Sequence, residues 1–354
     1  MLLTYNVKHY MDLSDELEKG RKVAETAIRS SKLLSTKDVK YIGLKATISN
    51  QIIRKYSVKN SRIKGIHNIV LPVPGRDVTV KDDLIYVPCL KCTLPFDSRG
   101  HDIVRVNYVE FDRHYAHIAC TVPEQEQYVP ERTLGVDRNT TGHVAVAACP
   151  ETGKVYKFGK SCSHIRKKYS SLRRTAQKQG SKKTRHKFRK AKIYKQRERN
   201  IIKNENHHIS KAIVANAKEQ KASIVLEDLK SIRNTAKTYG RSQRRSLYSW
   251  SFYQLQQFIE YKAKLQGVPV VFVQPEYTSQ LCSKCGAFGE RNGKLFKCPH
   301  CGHADHADVN AGFNIALRGR DGRLGIDRDV PKGYTDKPEG GTIYIEELLF
   351  GNAY

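Results

Sequence analysis

Two pairs of cysteines in the last quarter of the chain restrict its fold more than any other feature. Cys282 with Cys285 and Cys298 with Cys301 both have the spacing Cys-x-x-Cys, and twelve residues separate the two pairs. Four thiolates at this spacing are typical of a tetrahedral structural zinc site. A glycine follows each pair, and glycine lets the backbone turn tightly around a metal. The pattern therefore predicts a zinc ribbon over residues 278–303.

An acidic residue follows the predicted ribbon, and two more acids end apolar runs far upstream. Asp308 lies seven residues after the last cysteine, at the start of a predicted helix over about 308–317. Asp137 follows Leu-Gly-Val and Glu227 follows Ser-Ile-Val-Leu, two runs typical of short buried strands. Taken singly, each acid is also explained as a turn residue or a helix cap. Their positions become informative only when the order of the elements is considered.

Basic residues outnumber acidic ones, 63 Lys and Arg against 35 Asp and Glu, which gives a formal net charge of +28. This excess favours a polyanionic partner, and nucleic acid is the first candidate. No apolar run approaches the ~18–20 residues of a membrane-spanning helix, so we expect no membrane partner. The chain starts without a secretory-signal pattern, and four of its nine cysteines already have a metal role. We therefore expect a protein of the reducing cytoplasm and no disulfide framework.

Most of the excess charge lies between residues 160 and 203, where 18 Lys and Arg accompany a single acid, Glu198. The segment lacks proline and continues into apolar residues at helical spacing, which predicts one long helix or two helices broken near Gly180. With so few acids nearby, its basic side chains are expected to contact nucleic-acid phosphates, although a solvated helix face would have the same composition. The candidates are Arg166, Lys167, Lys168, Arg173, Arg174, Lys182, Lys183, Arg185, Lys187, Arg189 and Lys190.

The first 130 residues divide into a helical part and a β-rich part. Residues 10–64 show helical patterns, clearest over 12–27. From 66 to 122, short apolar or alternating runs are separated by turn residues, which predicts a small antiparallel β-structure resembling a barrel. Residues 123–131 contain two prolines and several Glu and Gln, as expected of a linker.

The remaining elements follow in the order β-β-β-α-β-α-β-α, which predicts an α/β domain with an RNase H-like sheet. In that topology the first and fourth strands are parallel neighbours, so Asp137 and Glu227 should meet at one edge of the sheet. Asp308 should start the last helix, where the helix dipole favours an anion. Three converging acids favour bound cations, and Mg²⁺ suits carboxylate ligands. Two such ions can activate water and stabilise the leaving oxygen of a phosphodiester.

Motifs in the second half of the chain resemble those of TnpB, the transposon-encoded relative of type V CRISPR effectors. The most specific motifs surround the cysteines and the last acid: Pro275-Glu-Tyr-Thr-Ser-Gln-Leu-Cys-Ser-Lys-Cys-Gly286, Phe296-Lys-Cys-Pro-His-Cys-Gly302 and Asp308-Val-Asn-Ala-Gly-Phe-Asn-Ile315. Leu226-Glu-Asp-Leu229 and Leu134-Gly-Val-Asp137 match the two other RuvC motifs of that family. The resemblance covers residues 131–318.

The resemblance implies a division of the chain into domains. It places a RuvC-like nuclease domain in two segments around the zinc ribbon and, by order and length alone, a helical recognition segment and a β-barrel-like wedge domain before them. The expected ranges are 1–9 and 65–130 for the wedge-like domain, 10–64 for the recognition segment, 131–277 and 304–318 for the RuvC-like domain, 278–303 for the ribbon and 319–354 for a flexible tail.

The resemblance also implies an RNA-guided DNA endonuclease of the prokaryotic cytoplasm, associated with the nucleoid. Its partners would be a guide RNA and a double-stranded DNA target beside a short flanking motif. Asp137, Glu227 and Asp308 would bind two Mg²⁺ ions and act as the catalytic acids, and the four cysteines would bind one structural Zn²⁺. Arg138-Asn139 departs from the Leu-Gly that many members have after the first acid. We expect this departure to leave the chemistry unchanged.

Two other functions fit parts of the sequence. An RNA-guided DNA-binding regulator would bind without cutting, but it would have no use for three acids in a basic protein. A guide-free nuclease that recognises DNA structure would use the acids. It would leave the basic segment and the N-terminal half without a clear role.

Overall fold

The computed structural model describes residues 1–30, 32–57, 66, 68–139, 142–178, 185–229 and 252–321. The chain divides into two compact units, Met1–Glu124 and Gln125–Tyr354. Most of the expected C-terminal tail, residues 322–354, lies outside the described residues, as do residues 58–65 of the N-terminal unit. The three described residues of the tail, 319–321, belong to the last helix.

The N-terminal unit contains two amphipathic helices where the sequence predicts helical structure. Helix α1 is Ser14–Arg29 and helix α2 is Ala46–Tyr56. Val23 of α1 and Ile52 of α2 are fully buried in the same core cluster. Apolar residues at helical spacing thus bury one face of each helix against the strands of this unit.

The strands of the N-terminal unit form two antiparallel sheets, with the orders β1-β7-β6-β2 and β3-β4-β5. Phe111 and Ile118, which lie on neighbouring strands, are among the largest fully buried side chains. The predicted antiparallel structure over 66–122 is therefore confirmed, and the first residues of the chain add a further strand to it. The strands are β1 (Leu2–Lys8), β2 (Leu71–Pro74), β3 (Thr79–Lys81), β4 (Leu84–Val87), β5 (Cys92–Pro95), β6 (Arg105–Phe111) and β7 (Tyr115–Thr121).

The C-terminal unit is built on a five-stranded mixed sheet with the order β10-β9-β8-β11-β12. Strand β8 is parallel to β11, and β11 is parallel to β12, while the other pairs are antiparallel. The first and fourth strands are therefore parallel neighbours, as predicted. The elements are β8 (Arg132–Arg138), β9 (Ala145–Ala148), β10 (Val155–Phe158), α3 (Ser161–Lys178), α4 (Arg185–Glu219), β11 (Ala222–Glu227), α5 (Phe252–Gln266), β12 (Val270–Val273) and α6 (Ala307–Asp321).

Helices cover both faces of the two central strands. Leu134 of β8 and Leu226 of β11 are fully buried in a cluster that also contains apolar residues of α4 and α5. On the opposite face, Gly135 approaches α6 so closely that a Cβ atom there would lie 2.2 Å from the carbonyl oxygen of Gly312. Side chains alternate between the faces of a strand. Odd-numbered residues of β8 and β11 therefore face α6, and even-numbered residues face α4 and α5.

The basic segment forms two helices that pack against each other, α3 and α4. Residues 179–184 between them, which include the predicted break near Gly180, lie outside the described residues. The apolar residues Ile209 and Ile213 in the second half of α4 are buried in the core of this unit. The first half of α4 has mostly exposed charged side chains.

Strands β13 (Glu290–Asn292) and β14 (Leu295–Lys297) lie within the predicted zinc ribbon, and β15 (Ala304–His306), directly after its predicted end at residue 303, completes their small antiparallel sheet. Gly286 and Gly302, which follow the two cysteine pairs, both have φ of 73°. L-residues rarely adopt this left-handed conformation, which explains why glycine follows each pair. Strand β15 ends at His306 and α6 begins at Ala307, so the ribbon leads directly into the last helix.

None of the helices within the described ranges is both long enough and apolar enough to span a membrane.

Candidate catalytic and metal sites

Two of the predicted acids lie at the carboxyl ends of neighbouring parallel strands. The register pairs Val136 of β8 with Leu226 of β11, so the next residues, Asp137 and Glu227, are level at the edge of the sheet. Parallel neighbours are about 4.8 Å apart. Because both residues are odd-numbered, both side chains face α6. Each is only 9% exposed.

The third acid, Asp308, lies in the first turn of α6 and is fully buried. The helix dipole favours a negative charge at this position. Strand β15, directly before α6, places this turn beside the ribbon, and α6 packs on the face of the sheet that Asp137 and Glu227 share. The structure thus brings together three acids that are far apart in the sequence.

The electrostatics of Asp137 reflect this convergence. Burial, together with the negative charges of Glu227 and Asp308, raises the pKa of its carboxyl to about 7. The side-chain amide of Asn139 donates a hydrogen bond to Asp137 Oδ2 at 2.8 Å, which favours the ionised form and opposes the shift. Without a cation nearby, the three acids cannot all be ionised near neutral pH at low cost.

Glu227 is held in place by Thr278, which lies in the loop after β12. The hydroxyl of Thr278 donates a hydrogen bond to Glu227 Oε1 at 2.6 Å. Burial raises the pKa of Glu227, while this hydrogen bond and the positive charges of Arg138 and Arg318 oppose the rise. Its carboxylate is therefore oriented by a buried neutral donor before any ligand binds.

Asp308 receives its counter-charges from the ribbon. Arg291 Nη2 lies 3.2 Å from Asp308 Oδ1, and Lys294 Nζ lies 2.6 Å from Asp308 Oδ2. Both bases come from the β13–β14 hairpin, and about a third of each side chain is exposed. His306 Nδ1 is 3.9 Å from Asp308 Oδ2. A cation that binds Asp308 must therefore compete with two side chains of the ribbon.

The chemistry of the acid cluster fits Mg²⁺. Carboxylate oxygens are the ligands that this hard cation prefers. The raised pKa of Asp137 indicates that positive charge is needed to ionise the cluster. Three carboxylates can also share two cations, which lie ~3.5–4 Å apart in two-metal sites.

The four cysteines form the second metal site. The sulfur atoms of Cys282, Cys285, Cys298 and Cys301 all lie within 4.8 Å of one another. Cys282 Sγ is 3.6 Å from Cys301 Sγ, and Cys285 Sγ is 3.6 Å from Cys298 Sγ. Four thiolates about 2.3 Å from a tetrahedral zinc ion have sulfur–sulfur distances of about 3.8 Å. The cluster therefore fits the structural Zn²⁺ that the spacing predicts.

Two asparagines of α6 connect the zinc ribbon with the acid cluster. Asn310, which is fully buried, accepts a hydrogen bond from the backbone amide of Ser283 at 2.9 Å and donates to the carbonyl of Leu281 at 2.7 Å. Asn314 donates to the carbonyls of Leu281 and Thr278 at 2.7 and 2.9 Å. The same helix therefore positions Asp308 and supports the loop of the first cysteine pair.

The predicted nucleic-acid contacts divide into three groups. The exposed candidates are Lys167, Lys168, Arg174, Arg189 and Lys190. Arg166 and Arg173 are partly buried, and Arg173 forms an ion pair with Glu198, so the expectation that it has no nearby acid is wrong. The acid lies 25 positions away along the chain but comes close when α3 and α4 pack together. Lys182 and Lys183 lie outside the described residues, and Arg185 and Lys187 lie on α4 with side chains outside the description.

Several residues of the site were not predicted. Arg138 and Asn139, expected to leave the chemistry unchanged, both contact the acids: Asn139 bonds Asp137, and Arg138 bonds the carbonyl of Glu227. Their position directly after Asp137 is the signal in the sequence that could have identified them as residues of the site. Arg291 and Lys294 carried no such signal, because basic residues are common in this chain and only the hairpin brings them to Asp308.

Comparison with known proteins tests the family resemblance. Residues 252–315 match the family model described as Cas12f1-like, TNB domain. The chain is 39% identical over 129 residues to the TnpB-like protein MJ0751 of Methanocaldococcus jannaschii, which covers 36% of this chain and 46% of that protein. The predicted resemblance to TnpB is confirmed.

The other similarities extend to the type V effectors. The chain is 43% identical over 116 residues to the CRISPR-associated endodeoxyribonuclease Cas12f1 of Sulfoacidibacillus thermotolerans, which covers 32% of this chain and 26% of that protein. The matched segment thus spans less than half the length of either relative. The cryo-EM structure of a Cas12f1–sgRNA–target DNA complex matches with a TM-score of 0.52 at 15% identity, over 86% of this chain and 82% of that chain. At this identity the match concerns the fold alone, and it agrees with the predicted α/β class.

Proposed function

We propose that this protein is an RNA-guided, Mg²⁺-dependent DNA endonuclease with a RuvC-like active site, associated with a transposon. One observation carries the proposal. Three buried carboxylates, Asp137, Glu227 and Asp308, converge where β8, β11 and α6 meet, in a chain with a formal net charge of +28. Buried like charges at this density are costly in a structural role, whereas a phosphodiester nuclease needs them to hold cations.

In this mechanism Asp137, Glu227 and Asp308 would hold the cations, and neighbouring residues orient the acids. Bound Mg²⁺ would supply Lewis-acid activation of a water and would stabilise charge on the leaving oxygen of the phosphodiester. Asn139 fixes the rotamer of Asp137, and Thr278 fixes that of Glu227. The hydrogen bonds of α6 to the ribbon keep Asp308 at the first turn, beside the other two acids.

Guidance by RNA rests on the relatives and on the basic helices. The name of the Cas12f1 relative is that of a CRISPR-associated endodeoxyribonuclease, and the structural neighbour is a complex with sgRNA and target DNA. Exposed Lys167, Lys168, Arg174, Arg189 and Lys190 on α3 and α4 would contact the phosphates of a guide–target duplex. Such contacts set affinity, while pairing with the guide would set sequence specificity.

The domain assignment remains part of the proposal. The RuvC-like domain would comprise 131–277 and 304–318, with the ribbon at 278–303. The two helices within 10–64 would form the recognition segment, and the strands within 1–9 and 65–130 would form the wedge-like domain.

The first experiment asks whether a specific RNA accompanies the protein. The protein would be purified from cells that carry its native locus, washed at high salt, and any bound RNA sequenced. We expect one dominant RNA in which a constant scaffold is joined to a variable end. Absence of an enriched RNA, with Asp137-dependent cleavage of branched or single-stranded DNA, would support a guide-free nuclease instead. An enriched RNA without Mg²⁺-dependent cleavage of the matching DNA would support a regulator that only binds.

A further inference from the structure

A buried arginine lies directly behind the acid cluster. Arg138 is the last residue of β8, next to Asp137, and it is only 4% exposed. As an even-numbered residue it extends to the face of the sheet covered by α5, whereas Asp137 extends to the face covered by α6. The two neighbours therefore place a cation and an anion on opposite faces of the same strand end.

The guanidinium of Arg138 links three elements. Its Nη2 donates a hydrogen bond to the backbone carbonyl of Glu227 at 2.5 Å, and its Nη1 donates to Gln256 Oε1 at 3.0 Å. Gln256 Nε2 in turn donates to Glu260 Oε1 at 2.8 Å. Arg138 thus ties the end of β11 to β8 and both strands to α5.

The arrangement costs stability, which argues against a purely structural role. A buried charge pays a desolvation penalty, and apolar residues of the same volume often stabilise such a position as well or better. Arg138 Nε is buried without a hydrogen-bond partner among the residues that the structure describes. A buried donor that lacks a partner destabilises the folded state.

From the opposite face of the sheet, the positive charge of Arg138 still interacts with the acids at the strand ends. The negative charges that act on the Arg138 guanidinium belong to Glu227, Asp137, Glu260 and Asp228, in decreasing order of effect. The cations on the other face, Arg291 and Lys294, are each about one third exposed and pair with Asp308. A metal ion would compete with them for Asp308, and a phosphate would compete with Asp308 for them. Arg138 is buried away from the place where a metal or a phosphate would bind, so neither ligand displaces its charge.

We infer that Arg138 is a positioning residue of the nuclease: its hydrogen bonds fix the end of β11 so that Glu227 stays level with Asp137, and its charge offsets the repulsion between the two carboxylates. The inference deepens the proposed function and rests on it. Because Arg138 contacts neither cations nor substrate in this role, its loss should weaken metal binding and the chemical step while leaving RNA and DNA binding intact.

The matched control is another arginine of the same strand. Arg132, at the opposite end of β8, also donates a hydrogen bond to a backbone carbonyl, that of Gln220, at 3.0 Å. Arg132→Leu and Arg138→Leu each remove one guanidinium from the same face of one strand. Only the second removal lies beside the acids, so general effects on the fold and effects on the site can be separated.

The experiment measures Mn²⁺ binding, single-turnover cleavage and DNA binding for the guide-loaded wild type, Arg138→Leu, Arg138→Lys and Arg132→Leu. We expect Arg138→Leu to weaken Mn²⁺ binding about 10-fold and to slow cleavage about 10²-fold, with DNA affinity changed less than about 3-fold. Arg138→Lys keeps the charge and should recover part of both losses. Arg132→Leu should match the wild type within about 3-fold.

Equal Mn²⁺ binding by the wild type and Arg138→Leu would overturn the inference, as would equal losses in Arg138→Leu and Arg132→Leu. If Arg138→Leu fails to fold, Gln256→Leu provides the same test, because it removes the acceptor of Nη1 and leaves the arginine in place. It should slow cleavage about 3–10-fold, and unchanged rates would contradict the role. Failure of the proposed function is distinguishable, since the guide-loaded wild type itself would then not cut the duplex that matches its guide.

Discussion

The protein contains two candidate metal sites that contact the same helix but are built in opposite ways. The four cysteines of the ribbon lie within twenty positions of the chain, and their sulfur atoms already lie at distances that suit a tetrahedral ion. The three acids come from segments up to 171 positions apart, between Asp137 and Asp308, and their geometry depends on a five-stranded sheet and a helix. The cysteine site is local in the sequence, and its own thiolates balance the charge of a bound metal ion. The other is assembled by the whole unit.

The difference separates structural stability from activity. Metal binding to a small ribbon contributes to its folding, so loss of a zinc ligand should destabilise. The acid cluster has the opposite effect on stability, because the burial and mutual repulsion of its carboxylates destabilise the folded protein until cations bind. Removing one acid should therefore abolish activity without loss of stability. The following predictions test this contrast.

The largest expected effect is that of Asp137→Ala on cleavage. The change removes a proposed metal ligand and no phosphate contact, so cleavage should fall at least about 10³-fold while affinity for the guide and the target is retained. Zinc content should stay at one per chain. Single-turnover assays, filter binding and metal analysis check the three points. Cleavage that persists would place the active site elsewhere.

Cys285→Ser should have the next largest effect, and on both sites. The variant should lose most of its zinc, because three thiolates hold the ion poorly and metal binding stabilises the ribbon. Since Asn310 and Asn314 of α6 bond the ribbon backbone, Asp308 should lose its fixed position and cleavage should fall about 10²-fold.

Its control is Cys89→Ser, which changes a half-buried cysteine of the N-terminal unit that lies outside the cluster. That variant should keep its zinc and its activity. A Cys285→Ser protein that still holds one zinc per chain would defeat the ligand assignment.

A smaller effect is expected on stability when Asp137 is replaced by Asn. The pKa of Asp137 is about 7 in the folded protein, against about 3.9 for an unfolded chain. Between these values the folded state binds more protons than the unfolded state, so stability falls as pH rises from about 4 to 7 and stays low above 7. Asn carries no charge and avoids this loss. At pH 8 without added Mg²⁺, the variant should therefore melt about 5 °C higher than the wild type.

The difference between the Asn variant and the wild type should vanish near pH 4 and shrink when Mg²⁺ is added at pH 8. Calorimetric scans at the two pH values measure it directly. A wild type that is more stable than the Asn variant at pH 8 without added Mg²⁺ would mean that the acids do not repel each other as described.

The smallest expected effect is that of Lys294→Ala on cation binding at the acid cluster. Its ion pair with Asp308 must be given up when a cation binds, and a partly exposed ion pair is worth at most ~1 kcal/mol. Lys294→Ala should therefore bind Mn²⁺ about 2–5-fold more tightly. Lys297→Ala, an exposed lysine on the same hairpin, is the control and should leave the affinity unchanged. Weaker Mn²⁺ binding by Lys294→Ala would mean that the lysine assists the cation and does not compete with it.

The local site could be predicted completely from the sequence, and the assembled site only in part. Spacing alone identifies the four cysteines, because their geometry follows from two tight turns. The acids could be placed because the order of elements makes β8 and β11 neighbours. Side chains that only tertiary packing brings to the acids could not be predicted. Thr278 comes from a loop, and Arg291 and Lys294 come from the ribbon hairpin. Glu198 could not be identified from the sequence as the partner of Arg173 for the same reason, because only the packing of α3 on α4 brings the two together.

The exchange of guides tests the central proposal most directly. The protein would be loaded with its scaffold RNA carrying either of two variable ends, and each complex would be offered both matching DNA duplexes in Mg²⁺. We expect each complex to cut only the duplex that matches its guide, and the same complexes with Asp137→Ala to bind it without cutting. Cleavage that ignores the guide, or that survives the loss of Asp137, would contradict an RNA-guided nuclease built on these three acids.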